Sequence, residues 1–206
     1  MPGAPSIYAQ SPEQGPIRQG ELIGRVREVR LILEDQRDET TARIEFREHP
    51  LALVLSQDCD LEQDFRTREG LSEREDDNTQ GKEPSSNNLL TAILFCEVVG
   101  ADELRVSPDM DSKTWKRVKF NKDERYQYLS AVPSLADRLG QGLPQLTLDF
   151  KRYFALPAEQ VYWDVQRRSK RRCYLVTPYA EHVSTRFFNY QCRIALPIDH
   201  HRLDAT

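Results

Sequence analysis

Leu51-Ala52-Leu53-Val54-Leu55-Ser56-Gln57-Asp58-Cys59-Asp60 is the stretch on which the fold turns. Its five consecutive apolar residues are too few for a helix core and predict a strand buried on both faces. The run stops abruptly in a polar cluster, and the end of a buried strand is a natural place for a site. His49-Pro50 punctuates the chain before it. Further upstream, Leu22 to Leu33 alternates through Val26, Val29, Leu31 and Leu33. After a polar turn at Asp35 to Thr40, Thr41 to Phe46 alternates again, so the two segments are predicted to pair as strands.

Downstream, Leu89 to Val99 (LLTAILFCEVV) is a second strongly apolar segment and a predicted core strand. Tyr126–Leu129, Leu146–Phe150, Arg152–Leu156 and Cys173–Val176 are shorter strand candidates. Asp111 to Asn121 is a predicted basic helix, and Pro157 opens another that runs through Gln166. Thr177-Pro178 starts a closing helix, a hydroxyl followed by proline. Tyr179, His182, Val183, Arg186, Phe187, Tyr190 and Ile194 share one side of it at steps of three and four. The element order predicts an α+β fold: a small, mostly antiparallel β-barrel or strongly bent sheet with short helices and a C-terminal amphipathic helix.

Composition sets the outer bounds. The 206 residues are 38% hydrophobic and 30% charged, which suits one domain plus polar segments outside its core. Residues 1–18 read as a flexible arm, 19–197 as a single domain, and 198–206 as a frayed tail. Within the domain, 62–88 holds eight acidic and four basic residues and few apolar ones, predicting a mobile acidic insertion. No run of 18 apolar residues occurs, and MPGAPSIYAQSPEQGP lacks the form of a signal peptide, so a cytoplasmic location is expected. Cys59, Cys96, Cys173 and Cys192 form no C-x-x-C pair, and the last three are expected to be reduced and structural. The net charge of -4 conceals a basic segment. Lys113 to Arg193 holds 16 Lys/Arg and 7 Asp/Glu, while the remainder is strongly acidic. A basic face suited to an anionic partner follows from that contrast.

Three groups of residues are candidates for chemistry. Ser56, Cys59 and Asp60 lie at the end of the buried strand. A Cys59/His182 pair oriented by Asp149 would make a cysteine hydrolase, because a thiol beside carboxylates needs a base to become a nucleophile. His182 is the one histidine inside a predicted element away from the chain ends. The competing role is structural: Cys59 as a turn thiol, Asp60 as a turn cap, His182 as a core histidine with Glu181 favouring the helix dipole. Asp58 and Asp60 supply too few ligands for a metal site, and neither metal nor cofactor is expected. The second group is basic and interleaved with aromatic residues: Lys116, Arg117, Lys119, Lys151 and Arg152, near Trp115, Tyr126, Tyr128 and Tyr153. The third is the turn Arg167, Arg168, Lys170, Arg171, Arg172. Such patterns bind RNA by holding phosphates and stacking bases. They also occur as solvated surfaces over an aromatic core, and the basic turn can instead dock the acidic segment 62–83 or a protein partner.

Three motifs carry a resemblance. SQDCD (Ser56–Asp60), DFKR (Asp149–Arg152) and PYAEH (Pro178–His182) are similar to elements of a family of bacterial proteins with no established activity. A more distant likeness is to the MazF/PemK toxin family of small, SH3-like barrels that cleave RNA. Gly20-Glu21-Leu22-Ile23 resembles its opening strand, and His49 to Ser56 resembles its Arg-Pro-x-x-Val-Val-Ser strand, with His49 standing where those toxins have arginine. The resemblance implies a toxin-like or defence-associated protein that binds or cleaves RNA without a metal. Ser56 and a basic residue such as Arg152 would serve the scissile phosphate. Three expectations therefore stand: nucleic-acid binding or cleavage, a Cys59/His182 hydrolase, and a non-catalytic interaction module.

Overall fold

Leu51–Leu55 lies at the centre of the molecule, in a computed structural model that describes residues 6–35, 38–70 and 86–192. The run ends a long strand, β3 (Asp38–Val54), that pairs antiparallel with β2 (Glu21–Asp35). Leu51, Leu53 and Leu55 join one core, with Leu22, Cys96, Leu148, Phe150 and Cys173. Ala52 and Val54 join another on the opposite face, with Ile23, Ile93, Phe95 and Leu156. The strand is thus buried on both faces, as its unbroken apolar run predicts.

Among the described residues the sheet has seven strands, all antiparallel, in the order β1-β7-β2-β3-β4-β6-β5. The others are β1 (Tyr8–Gln10), β4 (Ala92–Gly100), β5 (Tyr126–Leu129), β6 (Leu146–Pro157) and β7 (Lys170–Leu175). Among the described residues five α-helices accompany them: α1 (Asp58–Arg68), α2 (Ala101–Arg105), α3 (Ser112–Lys119), α4 (Ala158–Arg167) and α5 (Tyr179–Gln191). Ala180 and Val183 of α5 cover the first core, while Leu61 of α1 and Ala158 and Val161 of α4 cover the second. The fold is α+β with an open sheet. Its edges nevertheless approach each other: Tyr8 of β1 donates its hydroxyl to the carbonyl of Ser130, just past β5, at 2.7 Å.

Several boundaries differ from expectation. His49-Pro50 does not interrupt β3, because β4 first pairs with it at Ala52 and asks for no N–H from Pro50. The expected arm contributes β1 on the sheet edge, and Ile17 is buried. Residues 62–68 of the expected insertion belong to α1, where Leu61 and Asp64 anchor the helix to the body, and Ser86–Asn88 form a short 3-10 turn. The rest of that acidic segment, 71–85, and the tail 198–206 lie outside the described residues. Arg25 takes a φ of 59°, and Ile23 and Val26, three residues apart, both reach the second core. The backbone kinks there, and the β2–β3 pair continues as a two-stranded ribbon.

Candidate functional site

The side chains with most chemistry converge around the bulge of β6. Cys96 pairs with Tyr153 and Val98 with Leu148, so Asp149 to Arg152 together face Glu97 alone. A bulge re-aims side chains that a regular strand would place on alternate faces. Arg125 grips the Asp149 carboxylate with two hydrogen bonds, at 2.7 and 2.6 Å, and the Lys151 N–H adds a third at 3.1 Å. That bonding raises the Arg125 guanidinium further above its ordinary value. Arg152 reaches Asp149 at 3.5 Å and Glu97 at 3.6 Å.

Glu97 links this group to the ribbon. It accepts from Arg47 at 3.1 Å and lies 3.8 Å from His49 Nδ1. His49 Nε2 is 3.1 Å from Glu28, which also accepts from Arg30 at 2.9 Å. The imidazole is only 2% exposed and stacks on Phe154, with ring centroids 4.0 Å apart. Burial pushes the Glu28 carboxyl upward, but bonds from Arg30 and His49 outweigh it and hold the group below its usual range. One continuous network results, and it is layered. Glu28, Glu97 and Asp149 keep 15, 13 and 6% of their side-chain surface, whereas Arg30, Arg47 and Arg152 keep 39, 40 and 58%. Carboxylates lie beneath and guanidinium groups face out.

Sequence reasoning found Asp149, Lys151 and Arg152 of this cluster and missed Glu28, Arg30, Arg47, His49 and Glu97. The signal available was the i, i+2 spacing of Glu28/Arg30 and Arg47/His49 on two strands that the pattern already paired. His49-Pro50, taken as a break, left His49 outside the predicted strands, whereas it lies within β3.

Ser56, Cys59 and Asp60 lie elsewhere, in a groove of about 700 Å³ between the start of α1 and α5. Ser56 Oγ accepts the Leu94 N–H at 2.9 Å and so caps the end of the sheet ladder. Asp58 is held by Arg18 and by the Gln19 N–H, which lowers its carboxyl below the usual range despite the opposing effect of burial. Gln19 in turn donates to Ser184 of α5 at 3.0 Å. Cys59 is exposed, its sulfur 3.7 Å from Gln57 Oε1 and from Asp60 Oδ1. His182 is not on the apolar side of α5. It is exposed, and the groove is lined from that helix by Glu181, Ser184, Thr185, Phe187, Phe188 and Gln191 instead. The helix turns its Ala180–Val183–Phe187 stripe to the core, which carries His182 outward. Nor does Asp149 line the groove. Leu94 and Cys96 face α5 while Phe95 and Glu97 face the other way, so Ser56 and Arg152 lie on opposite sides of β4.

The remaining basic candidates divide sharply. Lys116, Arg117 and Lys119 on α3 and Lys151 are exposed, with Arg117 no nearer than 4.0 Å to Asp123. Arg167 and Arg168 flank the Trp163 ring at 4.9 and 5.4 Å, and Arg168 also lies 3.7 Å from Asp164. Arg171 and Arg172, by contrast, are consumed internally. Arg171 is buried in a bidentate pair with Glu21 at 2.6 and 2.9 Å, and Arg172 clamps buried Asp137 at 2.6 and 2.7 Å. Arg171 and Arg172 sit where β7 shifts register against β2, and each meets a carboxylate inside the protein, so neither is available to a ligand or to the acidic segment.

Among the described residues no cluster of three or more metal-ligating side chains occurs, and no helix is long and apolar enough to cross a membrane. Comparison of the chain with protein-family models, with curated proteins and with solved structures finds no match.

Proposed function

We propose that the protein binds single-stranded nucleic acid, RNA in the first place, through the arginine-topped face formed by Arg30, Arg47, Lys151 and Arg152. The observation that carries this reading is the layering of the network. Carboxylates that are buried (Asp149) or largely covered (Glu28, Glu97) hold the guanidinium groups in place, and the more open guanidinium groups can meet an anion. A guanidinium oriented by a carboxylate is already positioned to form paired hydrogen bonds with phosphate. Arg167 and Arg168, flanking the exposed Trp163, extend the same chemistry with a ring on which a base can stack. The likeness of Gly20–Ile23 and His49–Ser56 to MazF/PemK barrels supports RNA over DNA and a bacterial cytoplasmic role. The near approach of the sheet edges supports a bent, barrel-like sheet of that SH3-like kind.

Binding rather than cleavage is the activity proposed. His49 is covered by Phe154, and Ser56 lies across β4 from Arg152, so neither can act on a phosphate held by the arginines. The test is fluorescence anisotropy with a labelled oligoribonucleotide over a salt series, alongside gel analysis of incubated total RNA. Four phosphate contacts on a single strand predict a slope of log K against log salt of about -3. Arg47→Ala and Arg152→Ala should each weaken binding by about tenfold and flatten the slope by roughly 0.7. Absence of salt-sensitive binding, or binding indifferent to both substitutions, overturns the proposal; cleavage that survives purification overturns the non-catalytic part.

A further inference from the structure

The ribbon carries a second surface that the nucleic-acid reading does not use. Pairing of β2 with β7 ends at Gly24, and pairing of β3 with β4 begins at Ala52. Among the described residues, the two strands between these points pair with each other alone, from Val26 opposite His49 to Asp35 opposite Asp38. That is an arm roughly 30 Å long at ~3.3 Å per residue. One of its faces holds Glu28, Arg30, Arg47 and His49. The other holds three rungs in a row: Arg27 opposite Glu48, Val29 opposite Phe46, and Leu31 opposite Ile44. Val29, Leu31, Ile44 and Phe46 are 47, 68, 64 and 58% exposed.

A two-stranded ribbon by itself is marginal in water, and four large apolar side chains on its open face make it more so. Scaled to whole-residue areas, these exposures amount to about 480 Å² of contiguous stripe, within the range of the largest patch on a typical monomer, which is often functional. Apposing two such stripes buries about 950 Å², close to the ~1,000 Å² at which specific interfaces begin.

We infer that the stripe is a homodimer interface, covered by the same stripe of a second copy. Its rungs are self-complementary. A two-fold axis running along the ribbon lays β2 of one copy over β3 of the other. Val29 then meets Phe46 and Leu31 meets Ile44. At the base, Arg27 of each copy faces Glu48 of its partner, so the charged rung is matched in sign twice over. Arg27, whose guanidinium lies 4.2 Å over the Phe46 ring, closes the rim of the apolar patch. This packing leaves the opposite, arginine-bearing face outward on both copies. The dimer does not depend on nucleic-acid binding and is tested without nucleic acid.

Sedimentation of the full chain from ~1 to ~200 μM spans micromolar association. The wild type is expected to reach twice the 23.9 kDa chain mass within that range. Leu31→Asp combined with Ile44→Asp should loosen association at least about tenfold, the effect of 1.4 kcal/mol. Because both side chains are exposed, circular dichroism and the melting curve report whether the variant remains folded. If it does not, Arg27→Glu and the charge-swapped Arg27→Glu/Glu48→Arg pair replace it: the single change should weaken the dimer and the swap restore it. Glu45→Ala, on the opposite face, should leave the dimer intact. A wild type that stays monomeric throughout overturns the inference, whether the stripe then binds another protein or nothing. So does a dimer indifferent to the stripe substitutions.

Discussion

Substitution of Glu21 or Arg171 separates the structural arginines from the binding ones. The pair joins β2 to β7, and both side chains are buried. The guanidinium donates to both Glu21 oxygens and also to the carbonyls of Gly15 and Pro16, at 3.0 and 2.7 Å. Glu21 further accepts the Arg18 N–H at 2.9 Å, so one ion pair ties the N-terminal segment to the sheet. Glu21→Met strands a buried cation with two carbonyls for company. Breaking a buried pair in this way destabilises by about 3–5 kcal/mol. At ~2–4 °C per kcal/mol for a chain of this size, the melting temperature should fall by roughly 6–20 °C. Replacing both residues by Met removes the uncompensated charge. The double variant should be less damaged than the sum of the singles, with a residual loss from the orphaned Gly15, Pro16 and Arg18 groups. Urea unfolding followed by circular dichroism measures all three variants. Arg152→Ala is the contrast: its exposed side chain predicts a stability change of about 0.5 kcal/mol or less. If Arg171→Met melts like the wild type while RNA affinity falls, Arg171 is a ligand contact and the structural role assigned to it fails.

Acid should attack the Asp137–Arg172 clamp. Burial pushes the Asp137 carboxyl up, but the Arg172 bonds and the N–H groups of Leu139 and Gln141 outweigh it and hold the folded value below the ordinary one. The stabilisation is therefore complete above the unfolded carboxyl pKa of about 4 and is lost as pH falls through the lower folded value. Asp137→Asn should lower stability at neutral pH and flatten the acid limb of a stability–pH curve. The thiols should divide by burial: iodoacetamide on the native protein is expected to label Cys59 and Cys192, and to reach Cys96 and Cys173 only after unfolding. Burial pushes the Cys173 thiol up to about 12, which withholds the thiolate as well as the access. Rapid native labelling of Cys173, read by peptide mass spectrometry, would contradict the packing of the first core.

Much of the architecture was legible because burial leaves a local pattern. Leu51–Leu55 and Ala92–Val99 are apolar runs with two cores beside them, and the structure pairs them as neighbouring strands. The helix expected near Asp111 forms as α3, with the Asp111 side chain accepting the Thr114 N–H at 2.7 Å. Composition misled where a few anchors outweigh many polar residues. Leu61 and Asp64 bring the start of the acidic segment into α1, with Asp64 accepting both Arg68 and the Leu90 N–H. Cys192, expected in the core, is exposed at the end of α5.

The site was less legible because its parts are distant in sequence. Residue types at Ser56–Asp60 and Glu181–His182 suggested one catalytic cluster, but helical phase turns His182 outward, and that phase was settled by which stripe of α5 the sheet accepts. Arg167, Arg168, Arg171 and Arg172 look alike along the chain, yet Arg167 is exposed and Arg168 half-buried beside Trp163, while Arg171 is buried and Arg172 largely covered against carboxylates 150 and 35 residues away. The central strands, their two-faced core and the basic segment from Lys113 to Arg193 are set by local sequence, because hydrophobic burial and charge are written in short runs. Only the tertiary structure decided which charges are neutralised inside and which stay outside, because a charged side chain's role depends on partners that folding brings within 3 Å, and chain spacing does not encode them.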